Sequence, residues 1–194
     1  MSKQSLAIDI DEVIFPLVDD LIKYVDKEHK VFLSTDGFVK YRIEDIWPSG
    51  PEEGGRVFQD YLKQSGIEIA PVKGAKEALD KLSQTFDLIV MTYRDVERGK
   101  ETEYWLNHNF PELFKKVHML GSTEKDFQYK SKGEVCKELN VYCLIDDQPA
   151  NVISAHEHGV KSILFGDYPW NQTDELPHAI PRVRNWEEAM DILL

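Results

Sequence analysis

Short apolar runs that stop on acids or a hydroxyl set the tightest limit on what this chain can fold into. Leu6-Ala7-Ile8-Asp9-Ile10-Asp11 is one. Asp87-Leu88-Ile89-Val90-Met91-Thr92 is a second, and Val141-Tyr142-Cys143-Leu144-Ile145, running into Asp146-Asp147, is a third. Val117–Leu120 and Ser162–Phe165 are shorter strand-like runs without such an ending. Apolar residues at consecutive positions suit strands covered on both faces. Between the runs lie helical periodicities: Leu17, Leu21, Tyr24 and Val25 after Pro16; Val57, Tyr61 and Leu62; Ala75, Ala78, Leu79 and Leu82 after Gly74. Further helices are expected over Glu97–His108, with Tyr104 and Trp105 turned inward, and over Ser131–Leu139, Pro149–His158 and Trp186–Leu193. This alternation predicts an α/β fold, a doubly wound parallel sheet with helices on both faces. No strand is expected between about Phe15 and Ala70, where Thr35-Asp36-Gly37 and Trp47-Pro48-Ser49-Gly50-Pro51 mark turns. That stretch reads as a small helical cap inserted after the first strand. Residues 1–14 and 71–194 then form the core domain, and 15–70 the cap.

Composition narrows the function classes. The 194 residues carry 23 Lys+Arg against 35 Asp+Glu, a formal charge of −12. An acidic chain lacks the basic face that duplex nucleic acid requires. No apolar run approaches the roughly 18–20 residues that span a bilayer, so no membrane partner is expected. The opening Met1-Ser2-Lys3-Gln4 leads directly into a strand pattern without a secretory apolar region. The two cysteines, Cys136 and Cys143, exclude a disulfide scaffold and fit a reducing, cytoplasmic location. Oligomeric state is not readable, which leaves a homodimer open.

Ligands of open α/β sheets bind outside the carboxyl ends of the strands. Alternation places Asp9 and Asp11 on one side of the first strand. With Asp146 and Asp147 at the same rim, four carboxylates would repel one another and resist ionisation. A hard divalent cation removes that conflict, and an all-oxygen donor set points to Mg²⁺. Taken singly, each piece has a plainer account: a solvated strand end, a helix cap at Asp146-Asp147 before Pro149, or a cap at Thr92. Their coincidence at three strand ends is what argues for a site. The six histidines show no metal-ligand spacing that would support zinc.

Asp9-Ile10-Asp11-Glu12-Val13, Met91-Thr92-Tyr93-Arg94, a lysine opening a helix at Lys132, and Ile145-Asp146-Asp147 resemble the four motifs of the haloacid dehalogenase (HAD) superfamily, in order and over nearly the whole chain. Lys132–Leu139, Phe165–Asn171 and Arg182–Glu188 are similar to segments of the 5′(3′)-deoxyribonucleotidase family, the type C cytosolic 5′-nucleotidases. The resemblance implies a Mg²⁺-dependent phosphomonoester hydrolase whose small-molecule substrate is a (deoxy)nucleoside monophosphate or another small phosphorylated metabolite. It implies Asp9 as nucleophile and Asp11 as proton donor and then base. Asp11 would also lend the metal its backbone carbonyl, and Asp146 and Asp147 would complete the metal site beside Asp9. Thr92, the backbone N–H of Tyr93 at a helix start, and Lys132 would hold the phosphate, with Lys130 the alternative lysine. Two positions depart from the family: Glu12 stands where glycine is common, its bulk expected to narrow the site, and Tyr93 stands where small residues are frequent. Phe15, Phe38, Tyr41 and Trp47 are candidates to stack on a base, although aromatic residues are more often core. Arg42 could meet a second anion, and Arg94 a substrate or an acid such as Glu97.

Two other readings compete. A phosphoryl-accepting switch domain also gathers acids, a Thr and a Lys on such a sheet. An insertion of about 50 residues after the first strand argues against that reading, because compact units use short connections. A catalytically idle binding module shares the fold as well, and the filling of all four motif positions speaks against it.

Overall fold

The computed structural model describes residues 3–64, 68–121 and 130–194. Among them, six parallel strands form one sheet: β1 (Gln4–Ile8), β2 (Phe86–Thr92), β3 (Lys116–Met119), β4 (Val141–Asp146), β5 (Lys161–Phe165) and β6 (Arg182–Val183). The helices are α1 (Leu17–His29), α2 (Pro51–Gln64), α3 (Ala75–Thr85), α4 (Gly99–Asn109), α5 (Lys132–Glu138), α6 (Pro149–Glu157) and α7 (Trp186–Leu193). The spatial strand order is β3-β2-β1-β4-β5-β6. The winding therefore reverses between β1 and β4, and a crevice opens at that point beyond the carboxyl ends of the strands.

Period-two alternation sorts the strand side chains into two apolar layers. Leu6, Ile8, Leu88, Val90, Cys143 and Ile145 face a cluster containing Ala78, Leu82, Trp186 and Ala189 from α3 and α7. Ala7, Ile89, Met91 and Leu144 face the opposite cluster, with Val135 and Cys136 of α5 and Ala155 of α6. Both faces are thus covered, which explains the unbroken apolar runs.

Between β1 and α3 the described residues form α1, α2 and two 3₁₀ turns at Thr35–Gly37 and Ile43–Asp45. Their apolar residues, including Leu21, Val25, Phe38, Ile43, Val57 and Tyr61, belong to the same continuous cluster as the sheet. The segment therefore sits on the core rather than around one of its own. None of the described helices is long and apolar enough to cross a membrane.

Several boundaries differ from the sequence expectation. The first strand ends at Ile8, not at Asp11, because the amides of Val13, Ile14 and Phe15 all turn back onto the carbonyl of Ile10. Tyr104 is 55% exposed whereas Trp105 is buried. Consecutive helical residues point about 100° apart and cannot share a face. The two-residue strand β6 lies on the edge and is too short to show any periodicity.

Candidate active site

Hydrogen bonding between neighbouring strands brings the acids together. The amide of Asp9 continues the ladder past β1 by donating to the carbonyl of Ile145 at 3.0 Å. Asp9 and Asp146 thus stand side by side at the crevice, and Asp147 follows. Carboxylate oxygens of Asp9, Asp146 and Asp147 lie within 4.8 Å of one another, and all three residues are buried. Lys132, on the first turn of α5, reaches into this group. Its Nζ is 2.8 Å from Asp9 Oδ1 and 2.6 Å from Asp146 Oδ2. A Ser131 capping box fixes the start of α5. Gly133 allows α5 to lie against α6, because a Cβ there would stand 2.4 Å from the backbone of Ser154. Lys130 instead pairs with Glu138 at 2.6 Å, away from the acids.

Among the described residues one ammonium faces these three buried carboxylates, which leaves the trio short of positive charge. Burial raises Asp9 to about 7, Lys132 pulls it partly back, and Asp146 and Asp11 push it up again. Asp147 is driven well above the ordinary range by burial and then by Asp146 and Asp9. Lys132 rises too: burial opposes its charge, but Asp146 and Asp9 more than offset that. An all-oxygen, anionic and under-compensated group is what a hard divalent cation fits. Asp146 is held rigidly, with Oδ1 accepting from the Gln148 amide (2.9 Å) and Asn151 Nδ2 (3.0 Å). Asp147 Oδ2 accepts from Trp170 Nε1 (2.6 Å) and Gln148 Nε2 (2.7 Å).

Asp11 is placed differently. Its carboxylate lies outside that trio and is gripped by Arg94, whose Nε donates to both oxygens (3.2 and 3.0 Å) and whose Nη2 lies 2.5 Å from Oδ1. Arg94 is buried, stacks on the Phe15 ring at 4.6 Å and donates to Thr102 Oγ1. Thr92 is buried at the end of β2, and its Oγ1 accepts from the Arg94 amide at 3.2 Å, with no acceptor for its own proton among the described residues. Tyr93 is not followed by a helix start: a 3₁₀ turn begins at Val96 and α4 at Gly99. Its hydroxyl instead accepts from the Lys132 amide at 3.2 Å, and its ring stands at the rim, 47% exposed.

Glu12 does not narrow the site. Its φ of 65° lies in the left-handed region that favours glycine, and its side chain turns to the N-terminus of α1, accepting from the Val18 amide at 2.6 Å. Burial raises this carboxyl to about 8.

These groups border a cavity of about 350 Å³, within the range of small-ligand sites. Asp9, Asp11, Asp147, Thr92 and Lys132 form its floor, and Leu17, Tyr41, Phe58 and Leu62 form an apolar wall, with Arg94 and Arg98 beside it. A groove of about 450 Å³ lies at the opposite strand ends against α7, and no carboxylate among the described residues lines it. Of the aromatic candidates, Phe15, Phe38 and Trp47 are core residues, and Tyr41 lines the cavity with its ring against Trp170 at 4.7 Å. Arg42 lies 3.8 Å from Glu44. Sequence reasoning passed over Phe58 and did not connect Trp170 to Asp147 or Arg94 to Asp11. The available signal for Arg94 was its place two residues after a strand-end Thr at an acid-rich rim.

A protein-family profile described as "5′ nucleotidase, deoxy (Pyrimidine), cytosolic type C protein" matches residues 3–194. The chain belongs to this family. It is a phosphatase, and its substrate is a small phosphorylated molecule. The fold agrees. A haloacid dehalogenase-like hydrolase from Streptococcus pneumoniae superposes with a TM-score of 0.68 at 16% identity, covering 99% of each chain. A phosphatase structure from Clostridium difficile gives 0.69 at 20% identity over 100% of both chains. A HAD-hydrolase from Bacillus subtilis, solved bound to magnesium, gives 0.67 at 16% identity over 100% of this chain and 99% of that one. No curated protein matches the sequence.

Proposed function

We propose that this phosphatase is a Mg²⁺-dependent 5′-nucleotidase that hydrolyses (deoxy)nucleoside monophosphates through an aspartyl-phosphate. The observation that carries the reading is the Lys132 ammonium held between Asp9 and Asp146 at the crevice where the sheet winding reverses. Asp9, Asp146 and Asp147 would hold the cation, with Asp11 contributing its backbone carbonyl. The bound cation would neutralise phosphate charge and orient the ester.

Asp9 Oδ attacks phosphorus and the ester P–O bond breaks. Asp11, released from Arg94 on substrate binding, gives the leaving oxygen a proton, then takes one from the water that attacks the phospho-aspartate. Inorganic phosphate leaves and the Asp9 carboxylate is restored. Thr92 Oγ1 and Lys132 Nζ bind the phosphoryl oxygens, where charge accumulates in the transition state. The segment 15–70 acts as the cap, its Leu17, Phe58 and Leu62 covering the nucleoside.

A panel of nucleoside monophosphates and sugar phosphates, assayed with Mg²⁺ and with chelator, tests this directly. Phosphate release should be confined to Mg²⁺, favour nucleotides, and fall at least about 10³-fold in Asp9→Asn. An Asp9→Asn variant as fast as the parent would refute the nucleophile.

A further inference from the structure

Tyr41 is a cap residue that the reaction above does not use, yet three independent features single it out. Its hydroxyl is buried and has no hydrogen-bond partner among the described residues. Buried polar groups are rarely left so, because the cost of desolvation then goes uncompensated. Its backbone is left-handed, with φ 56°. Such a conformation is unfavourable for a bulky side chain and clusters at ligand sites. Its ring is also spoken for. It packs on Trp170 at 4.7 Å, and Trp170 stacks on Tyr168 at 4.5 Å and is fixed by the bond from its Nε1 to Asp147. The ring is therefore engaged in this stack, and the phenol oxygen is the group left without a partner among the described residues.

The same residue lines the cavity with Asp9, Asp11, Thr92, Lys132 and Asp147. Burial, followed by Glu12, Asp11, Asp147 and Asp9, pushes the phenol well above its ordinary range. It therefore keeps its proton and can act only as a donor or a neutral acceptor. Among the described residues no acceptor oxygen lies within its hydrogen-bonding reach.

We propose that the Tyr41 hydroxyl is a substrate-binding group that donates a hydrogen bond to a phosphoryl oxygen of the bound phosphomonoester. This rests on the reading of Asp9 and Lys132 as the phosphate site. The cap then touches the phosphoryl group directly through one aromatic column, Tyr168–Trp170–Tyr41, which also braces Asp147.

Tyr41→Phe removes the hydroxyl alone and keeps the stack. With p-nitrophenyl phosphate and Mg²⁺, kcat/KM should fall about 10- to 100-fold, the range of a hydrogen bond to a charged group. The dissociation constant of inorganic phosphate with Mg²⁺, by calorimetry, should rise about tenfold or more on the same basis. The melting temperature without phosphate should hold or rise, since an uncompensated buried hydroxyl is gone. A merely structural Tyr41 would instead lower stability and leave phosphate binding alone. The proposal is overturned by parent-like phosphate affinity, whatever happens to kcat/KM, or by a loss of stability that accounts for the weaker binding. Failure of the nucleotidase reading shows separately, as an inert parent or an active Asp9→Asn. The phosphate titration reads Tyr41 in either case.

Discussion

Lys132 is almost completely buried, and a buried lysine stays charged only where anions compensate the lost hydration. Here Asp9 and Asp146 do so at 2.8 and 2.6 Å. Removing the ammonium leaves buried carboxylates facing each other. Lys132→Met should therefore cost about 3–5 kcal/mol in the absence of divalent cation. Added Mg²⁺ should raise its melting temperature by more than it raises the parent's. Thermal melts of both proteins with chelator and with Mg²⁺ check this, and an equal response would mean that the lysine and the cation do not share the same anions. At the same scale, Arg94 marks the limit of reading a sequence. Asp9 and Asp146 come together because β1 and β4 are neighbours in the sheet; apolar patterning forecasts that both acids stand at strand carboxyl ends. The grip of Arg94 on Asp11 depends on the chain folding back after Ile10, and no periodicity encodes that turn. Tyr41 is a similar case: its position is legible as aromatic, but its left-handed backbone and its packing on Trp170 are tertiary consequences.

Two helix starts beside the strand-end acids are fixed by particular residues. The first turn of α1 is capped by Glu12 from outside the helix, since Pro16 at the N-cap offers no side-chain acceptor. Folding raises this carboxyl from an ordinary 4.5 to about 8, chiefly through burial. The folded state therefore binds more proton than the unfolded state between those values. Its contribution to stability is complete below the unfolded pKa and declines as pH rises toward and through 8. Glu12→Gln keeps an acceptor for the Val18 amide and abolishes the titration. Its melting temperature relative to the parent should climb between pH 5 and pH 9, measured in chelator, and a flat difference would place the titration elsewhere. Helix α5 depends on Gly133 for its close approach to Ser154. In Gly133→Ala the added methyl meets backbone at 2.4 Å, so α5 must shift and carry Lys132 with it. A destabilisation of about 1–3 kcal/mol and a lower kcat should appear together.

Across the whole molecule the sheet does two jobs: it buries two apolar layers and it gathers charge at one rim. The unbroken apolar run Leu6-Ala7-Ile8, and others like it set between helical patterns, made the two-sided burial and the α/β class legible. The edge strand β6, with two residues, and the inward-facing choice between Tyr104 and Trp105 were not, because neither short length nor adjacency carries phase information. Both cysteines lie within those layers, and burial pushes each thiol up to about 12. They should resist a thiol-modifying reagent at pH 8 in the native protein and react fully in denaturant; labelling counted by intact mass tests the packing of both layers at once. The central claim is chemical: a carboxylate at the end of the first strand, made available by a neighbouring lysine and a cation, takes the phosphoryl group. Acid quenching during turnover with Mg²⁺, followed by peptide mass analysis, should find one phosphoryl group on Asp9 and none in the Asp9→Asn variant. Turnover with the phosphoryl group on another residue, or with Asp9 unmodified while a second residue carries the label, would contradict the account.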